Sequence, residues 1–174
     1  ASDSETTNID DKGVRCAFPI LHQLGFLSVP VTECDERNIE DVCNVELYRH
    51  TVELYARLDE LVEEQRDYVP VLCCHNLSFD MYGLSQWLDG HDCKVLAKSC
   101  RKPITFTVLD ESGNPALVIW DTLVFSQQPL ARMGKDCGYS KATGKWDYER
   151  IRTPETPLTD DETEYAKRDI YTTS

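Results

Sequence analysis

Apolar positions recur along the chain in two rhythms, one helical and one extended. Leu47, Tyr48, Val52, Tyr55, Leu58 and Val62 fall at helical spacing, with Glu53 and Arg57 as an i,i+4 pair on another face, and predict a helix over Val45–Glu64. Val69–Cys74 is a short continuous apolar run, the pattern of a central strand buried on both faces. Asn76 and Ser78 then offer capping side chains for a helix through Leu88, with Gly90 as its stop. Arg15–Leu27 is apolar enough for a strand despite Pro19. Ile104–Leu109 and Ala116–Phe125 flank Asp110–Asn114 and predict a hairpin with a five-residue loop. Pro129 opens a short helix that Gly138 closes, and the polar stretch Tyr139–Pro157 reads as a loop. Thr159-Asp160-Asp161-Glu162 is a capping box, so a last helix starts there and runs past Asp169. Strands alternating with helices, with one hairpin among them, predict an α/β fold with a mixed sheet.

Composition narrows the function. The 174 residues suit a single domain with one core, at 41% hydrophobic and 28% charged. Lys and Arg number 18 against 31 Asp and Glu, a net charge of −13, which argues against a stand-alone nucleic-acid binder working through a basic surface. It leaves room for an enzyme whose acids hold metal ions beside phosphates. No apolar run is long enough for a membrane span and no signal peptide is visible, so a cytoplasmic protein without a membrane partner is expected. The eight cysteines are an even number, but a chain of this length needs no disulfide framework and none of them forms a C-x-x-C pair. His91-x-Cys93 is a weak candidate for a ligand pair, and reduced thiols are the expectation. The chain opens close to an acidic pair and ends inside a helix, which reads as a domain of a longer polypeptide.

Three acidic patterns carry possible chemistry. Asp3-Ser4-Glu5 in a strand would turn both carboxylates to one side, although an acidic chain start is also commonly just solvated. Asp80 follows the buried strand, where α/β sheets place their ligands, yet it also suits an ordinary first helical turn. Tyr165 and Asp169 share a helix face, which its neighbours Asp161, Glu162 and Glu164 equally mark as a solvated one. Together, Asp3, Glu5, Asp80 and Asp169 could converge on two divalent ions, Mg²⁺ or Mn²⁺, for phosphodiester hydrolysis.

Asp-x-Glu-Thr at Asp3–Thr6, Asn-x-x-Phe-Asp at Asn76–Asp80 and Tyr-x-x-x-Asp at Tyr165–Asp169 resemble, in order, the three exonuclease motifs of proofreading DNA polymerases. These belong to the DEDD group with a tyrosine in the third motif. D-S-E-T-T at Asp3–Thr7, H-N-L-S-F-D at His75–Asp80 and the Ile170 after Asp169 are most similar to the protein-primed family B polymerases of phages and linear plasmids. The resemblance spans the whole chain and implies a ribonuclease H-like (DnaQ-like) fold, a central mixed β-sheet flanked by helices. It implies a single 3′→5′ exonuclease domain over residues 1–174, cut from a longer DNA polymerase and acting on the 3′ end of single-stranded DNA. Asp3 would bridge two metal ions, Glu5 and Asp169 would complete one site, Asp80 would serve the other, and Tyr165 would hold the attacking water. Thr6, Asn76, Phe79, Thr122, Leu123 and Tyr148 would contact the DNA strand, Phe79 by packing on a base or sugar. A polymerase domain of the same chain and a terminal priming protein would be its partners.

The sequence departs from that pattern in places. Ser4 stands where the family has an aromatic or large apolar residue, which is expected to affect packing alone, and Ser126 replaces an apolar residue. Thr143 replaces the family's lysine, with Lys141 and Lys145 as nearby substitutes. Polymerase motifs are absent from the sequence. The alternatives are a stand-alone exonuclease of the same superfamily acting on RNA or DNA, and a catalytically silent interaction module. The four intact acids argue against the last.

Overall fold

In a computed structural model, the protein is described over residues 1–28, 39–64, 66–136, 146–147 and 150–173. Strands β1 (Ser2–Asp11) and β2 (Val14–Leu27) form a long antiparallel ribbon. They are joined at Lys12-Gly13, whose φ angles of 54° and 82° are what a two-residue hairpin turn requires. Glu5 pairs with Leu21 and Thr6 with Pro19, so Ile20 is an extra residue in β2, a β-bulge. Pro19 sits at this irregularity, where its missing N–H breaks no regular ladder, and the strand runs through it.

A short helix, α1 (Ile39–Val42), leads into β3 (Cys43–Tyr48), which pairs antiparallel with β2, and α2 (Thr51–Glu63) follows. The expected helix over Val45–Glu64 is therefore wrong in its first third. Leu47 and Tyr48 lie on β3, opposite Gln23 and His22. Sheet pairing with β2 overrides helical spacing there. The helix that does form buries Leu54, Leu58 and Leu61, while Val52 is exposed.

Strand β4 (Val71–Cys74), α3 (Leu77–Asp89), β5 (Cys93–Ser99), β6 (Lys102–Leu109) and β7 (Pro115–Asp121) come next. Helices α4 (Thr122–Ser126), α5 (Leu130–Asp136) and α6 (Asp160–Thr173) complete the described elements. Gly90 caps α3 as expected. The Asp110–Asn114 loop also forms as expected, with Asp110 Oδ1 accepting from the N–H groups of Ser112 and Asn114. Two elements differ from expectation. β5 has no buried face, so no alternation announces it, and the Ala116–Phe125 segment leaves the sheet at Asp121 to start α4.

The seven strands stand in the order β3-β2-β1-β4-β7-β6-β5. β4 is parallel to β1 and β7, and the other pairs are antiparallel, so the sheet is mixed as expected. Helices α2 and α3 cover one core, around Leu24, Leu58, Leu72, Leu84, Trp87 and Ile119. A second cluster joins Ile20 and Leu21 of β2 to Tyr165 and Ala166 of α6. Cysteines 16, 43, 73, 74, 93 and 100 are free thiols, and Cys34 and Cys137 lie outside the described residues. No described helix is long and apolar enough to cross a membrane.

Candidate active site and metal centre

Ser2, Cys74 and Asp121 stand level in β1, β4 and β7. Beyond that level β4 and β7 turn away, and β1 continues paired with β2 alone. Asp3 and Glu5, two residues apart on this overhang, face the same side. Helix α6 packs against β1 and β2 and brings Asp169 to them. A ligand oxygen from each of Asp3, Glu5 and Asp169 lies within 4.8 Å of the others. Among the described residues this is the one group of His, Cys, Asp and Glu side chains close enough to share an ion. Three converging carboxylates are a donor set suited to a hard divalent cation.

Asp80 lies in the first turn of α3, just outside that group, and is buried. Neither of its carboxylate oxygens has a hydrogen-bond partner. Burial pushes its pKa well above the ordinary carboxylate range, and the charges of Asp3, Asp121 and Glu5 push it the same way. An orphaned buried carboxylate among other acids is what a nearby cation would relieve. The four residues therefore fit the divalent ions that their motifs suggest.

Asp121 is a member of the site that the sequence reading missed. Its Oδ1 accepts from the N–H of Leu123 at 2.9 Å and from that of Asn76 at 3.2 Å. Asn76 takes a left-handed conformation, φ 75°, at the start of α3. Thr122 donates to the Cys74 carbonyl at 3.2 Å, and its Oγ1 lies 3.0 Å from His75 Nδ1. One buried acid thus ties together the turns that carry Asn76, Thr122 and Leu123. The available signal was an Asp directly before a Thr at the end of an apolar run, the signature of a helix N-cap.

A cleft of about 470 Å³ opens over the acids, walled by Asp3, Glu5, Asn76, Phe79, Leu123 and Asp169. Thr6 does not line it. Thr6 lines a neighbouring hollow of about 370 Å³ with Asp80, Tyr82 and Phe79. Phe79, 41% exposed, stands as a partition between the two. A larger cleft, about 1140 Å³, lies at the other end of the sheet beside Tyr68 and the Asp110–Asn114 loop.

Tyr165 is also not a wall of the acid cleft. It is buried with its ring 6.0 Å from that of Trp146, one turn before Asp169. The start of α6 is fixed by the expected capping box, in which Thr159 and Glu162 exchange backbone and side-chain bonds. Glu162 also takes both Nε and Nη2 of Arg152, and this guanidinium lies 4.8 Å over the Trp146 ring. Despite burial, bonds from Thr159 and Arg152 hold the Glu162 carboxyl below its usual range.

Ser4 does more than pack. Its Oγ reaches His22 Nδ1, whose ring continues through Nε2 to Thr51 Oγ1. The chain is closed over by Gly83, where a Cβ would come within 3.1 Å of His22 Cε1. Ser126, the other departure, bonds the Gln128 backbone in the turn after α4. Tyr148, Thr143, Lys141 and Lys145 lie outside the described residues.

No family model matches the chain, and no curated protein sequence matches it. Solved structures do. Phi29 DNA polymerase complexed with single-stranded DNA superposes with a TM-score of 0.69 at 19% identity, covering 98% of this chain and 29% of that one. The same polymerase with primer-template DNA and incoming nucleotides gives 0.71 at 19%, covering 98% and 28%. Its orthorhombic crystal form gives 0.71 at 18%. The chain thus spans less than a third of the polymerase it matches, and over that span its α/β architecture is that of a segment of phi29 DNA polymerase.

Proposed function

We propose that the chain is a 3′→5′ exonuclease domain that removes nucleotides from the 3′ end of single-stranded DNA, proofreading for a polymerase domain of the same longer polypeptide. The observation that carries this reading is the acid cluster: three carboxylates within 4.8 Å, with a fourth buried beside them and unpartnered. Asp3, Glu5 and Asp169 would hold one divalent ion, and Asp80 with Asp3 the other. Such ions, Mg²⁺ or Mn²⁺, supply an activated water and stabilisation of the leaving oxygen.

The chain's own groups do the rest. Phe79 offers a half-exposed ring for a base, and stacking of this kind tolerates any sequence. Asn76 and Leu123 are pre-set by Asp121 in the cleft wall, and Thr122 stands beside them, bonded to the Cys74 carbonyl. Tyr165 orients the attacking water, and Thr6 receives the strand beyond Phe79. A terminal priming protein and a cytoplasmic place of action belong to the same reading.

The test is degradation of 5′-labelled single-stranded DNA with Mg²⁺ or Mn²⁺. A ladder shortening by single nucleotides from the 3′ end, lost with EDTA and in Asp169→Ala, is expected. Activity surviving in Asp169→Ala would overturn the site. A ribo-oligonucleotide degraded in preference would favour an RNA-directed enzyme, since the 2′-OH is what separates the two substrates.

A further inference from the structure

The chain is acidic, yet Lys94–Lys102 reads K-V-L-A-K-S-C-R-K, with four cations and no acid. All nine residues are exposed. Among the described residues, none of these four cations joins an ion pair. The stretch forms β5 and the turn into β6, and sheet register decides which way it points. Thr105 pairs with Trp120 and Leu96 with Thr105, so Lys98, Arg101 and Lys102 lie past the level of Asp121. The tip therefore projects from the same end of the sheet as Asp3 and Glu5.

From β1 to β6 is three strand steps, about 14 Å at roughly 4.8 Å each. A single strand drawn out from the acid cleft covers that distance within a few nucleotides.

We propose that this tip holds the phosphate backbone of the substrate strand a few nucleotides from its 3′ end. The proposal rests on the nuclease reading and adds a second anchoring point to it. Lysines on an edge strand also discourage sheets from pairing edge to edge. That role does not account for Lys102, which belongs to the inner strand β6, or for Arg101, which lies in the turn. An acidic protein surface is the competing occupant. The nucleic-acid backbone is favoured because the cations share a sheet end with the nuclease cleft.

The experiment compares the 174-residue chain with the Lys98→Ala/Arg101→Ala/Lys102→Ala variant. Binding of fluorescein-labelled dT16 and dT3 is read by anisotropy in Ca²⁺ between 50 and 200 mM NaCl, and hydrolysis is read separately in Mg²⁺. The variant is expected to bind dT16 several-fold more weakly. Its slope of log affinity against log salt should be shallower by about 2, as three lost contacts at ~0.7 each predict. Binding of dT3 should be unchanged, and Lys98→Arg/Lys102→Arg should restore the wild-type slope. An unchanged dT16 slope would overturn the proposal and point to a protein occupant, and equal weakening of dT3 would overturn it too. Loss of hydrolysis on every substrate, with the length-dependent binding intact, would fail the nuclease reading while leaving the anchoring point standing.

Discussion

Ser4 Oγ lies 2.9 Å from His22 Nδ1, and the other nitrogen of that ring lies 3.1 Å from Thr51 Oγ1. A buried polar thread thus runs from the acid-bearing strand, through β2, to the start of α2. Burial lowers the His22 pKa from 6.5 to about 4. The native state therefore holds a neutral ring, whereas the unfolded chain takes up a proton below pH 6.5. The contribution of His22 to stability should fall as pH drops from 6.5 and level off near 4, by roughly 3 kcal/mol in all. Chemical denaturation of the wild type and of His22→Asn across that range should show it as the difference between their slopes.

Asp80 should give the opposite slope. Its raised pKa means the native state keeps a proton that the unfolded chain has released above about 4. The contribution of Asp80 to the stability of metal-free protein should therefore fall as pH rises above that value. Asp80→Asn should raise the melting temperature of metal-free protein at pH 7, with the gain vanishing near pH 3. The same variant should lose the thermal upshift that Mg²⁺ or Mn²⁺ gives the wild type.

Arg152 and Glu162 are both buried at the start of α6. Removing Arg152 leaves the buried Glu162 with half-exposed Arg150, 3.6 Å away, as its cationic partner, so Arg152→Ala should cost about 3 kcal/mol in denaturant unfolding. The double variant Arg152→Met/Glu162→Leu should recover most of that loss. If the single variant is neutral, this pair does not anchor α6.

Tyr165→Phe separates packing from chemistry. The ring keeps its place against Trp146, so the melting temperature should hold within a degree or two. The rate of nucleotide release should fall by about 10²-fold, as for a lost proton-positioning hydroxyl. Wild-type turnover in the variant would leave Tyr165 with a packing role alone.

Much of the architecture was legible, and the failures have identifiable causes. The Thr159–Glu162 box located the start of α6 because its bonds are local and side-chain encoded. The hairpin around Asp110 was legible for the same reason. β3 was hidden because Leu47 and Tyr48 fit helical spacing, and pairing with β2 is not a local property. β5 was hidden because an edge strand with no buried face leaves no alternating pattern. Asp3, Glu5 and Asp169 could be selected as acids from their motifs, but their convergence depends on where α6 crosses the ribbon. Helical spacing puts Tyr165 on the face of Asp169 yet says nothing of depth, so its burial against Trp146 could not be read. Asp121 is not legible, because the run Ala116–Phe125 reads as one strand and puts it in the middle.

The extra residue at Ile20 has a consequence for how competence can be judged. Beyond Ser2 the acid-bearing strand has no β4 partner, so its alignment rests on the hairpin and on the irregularity at Pro19 and Ile20. Side chains alternate with period two, so a slip of one residue would swing Asp3 and Glu5 to the side now held by Ser4. Such a molecule would keep its strands and its ellipticity while being inert. It would be recognised not by spectroscopy but by its indifference to divalent ions.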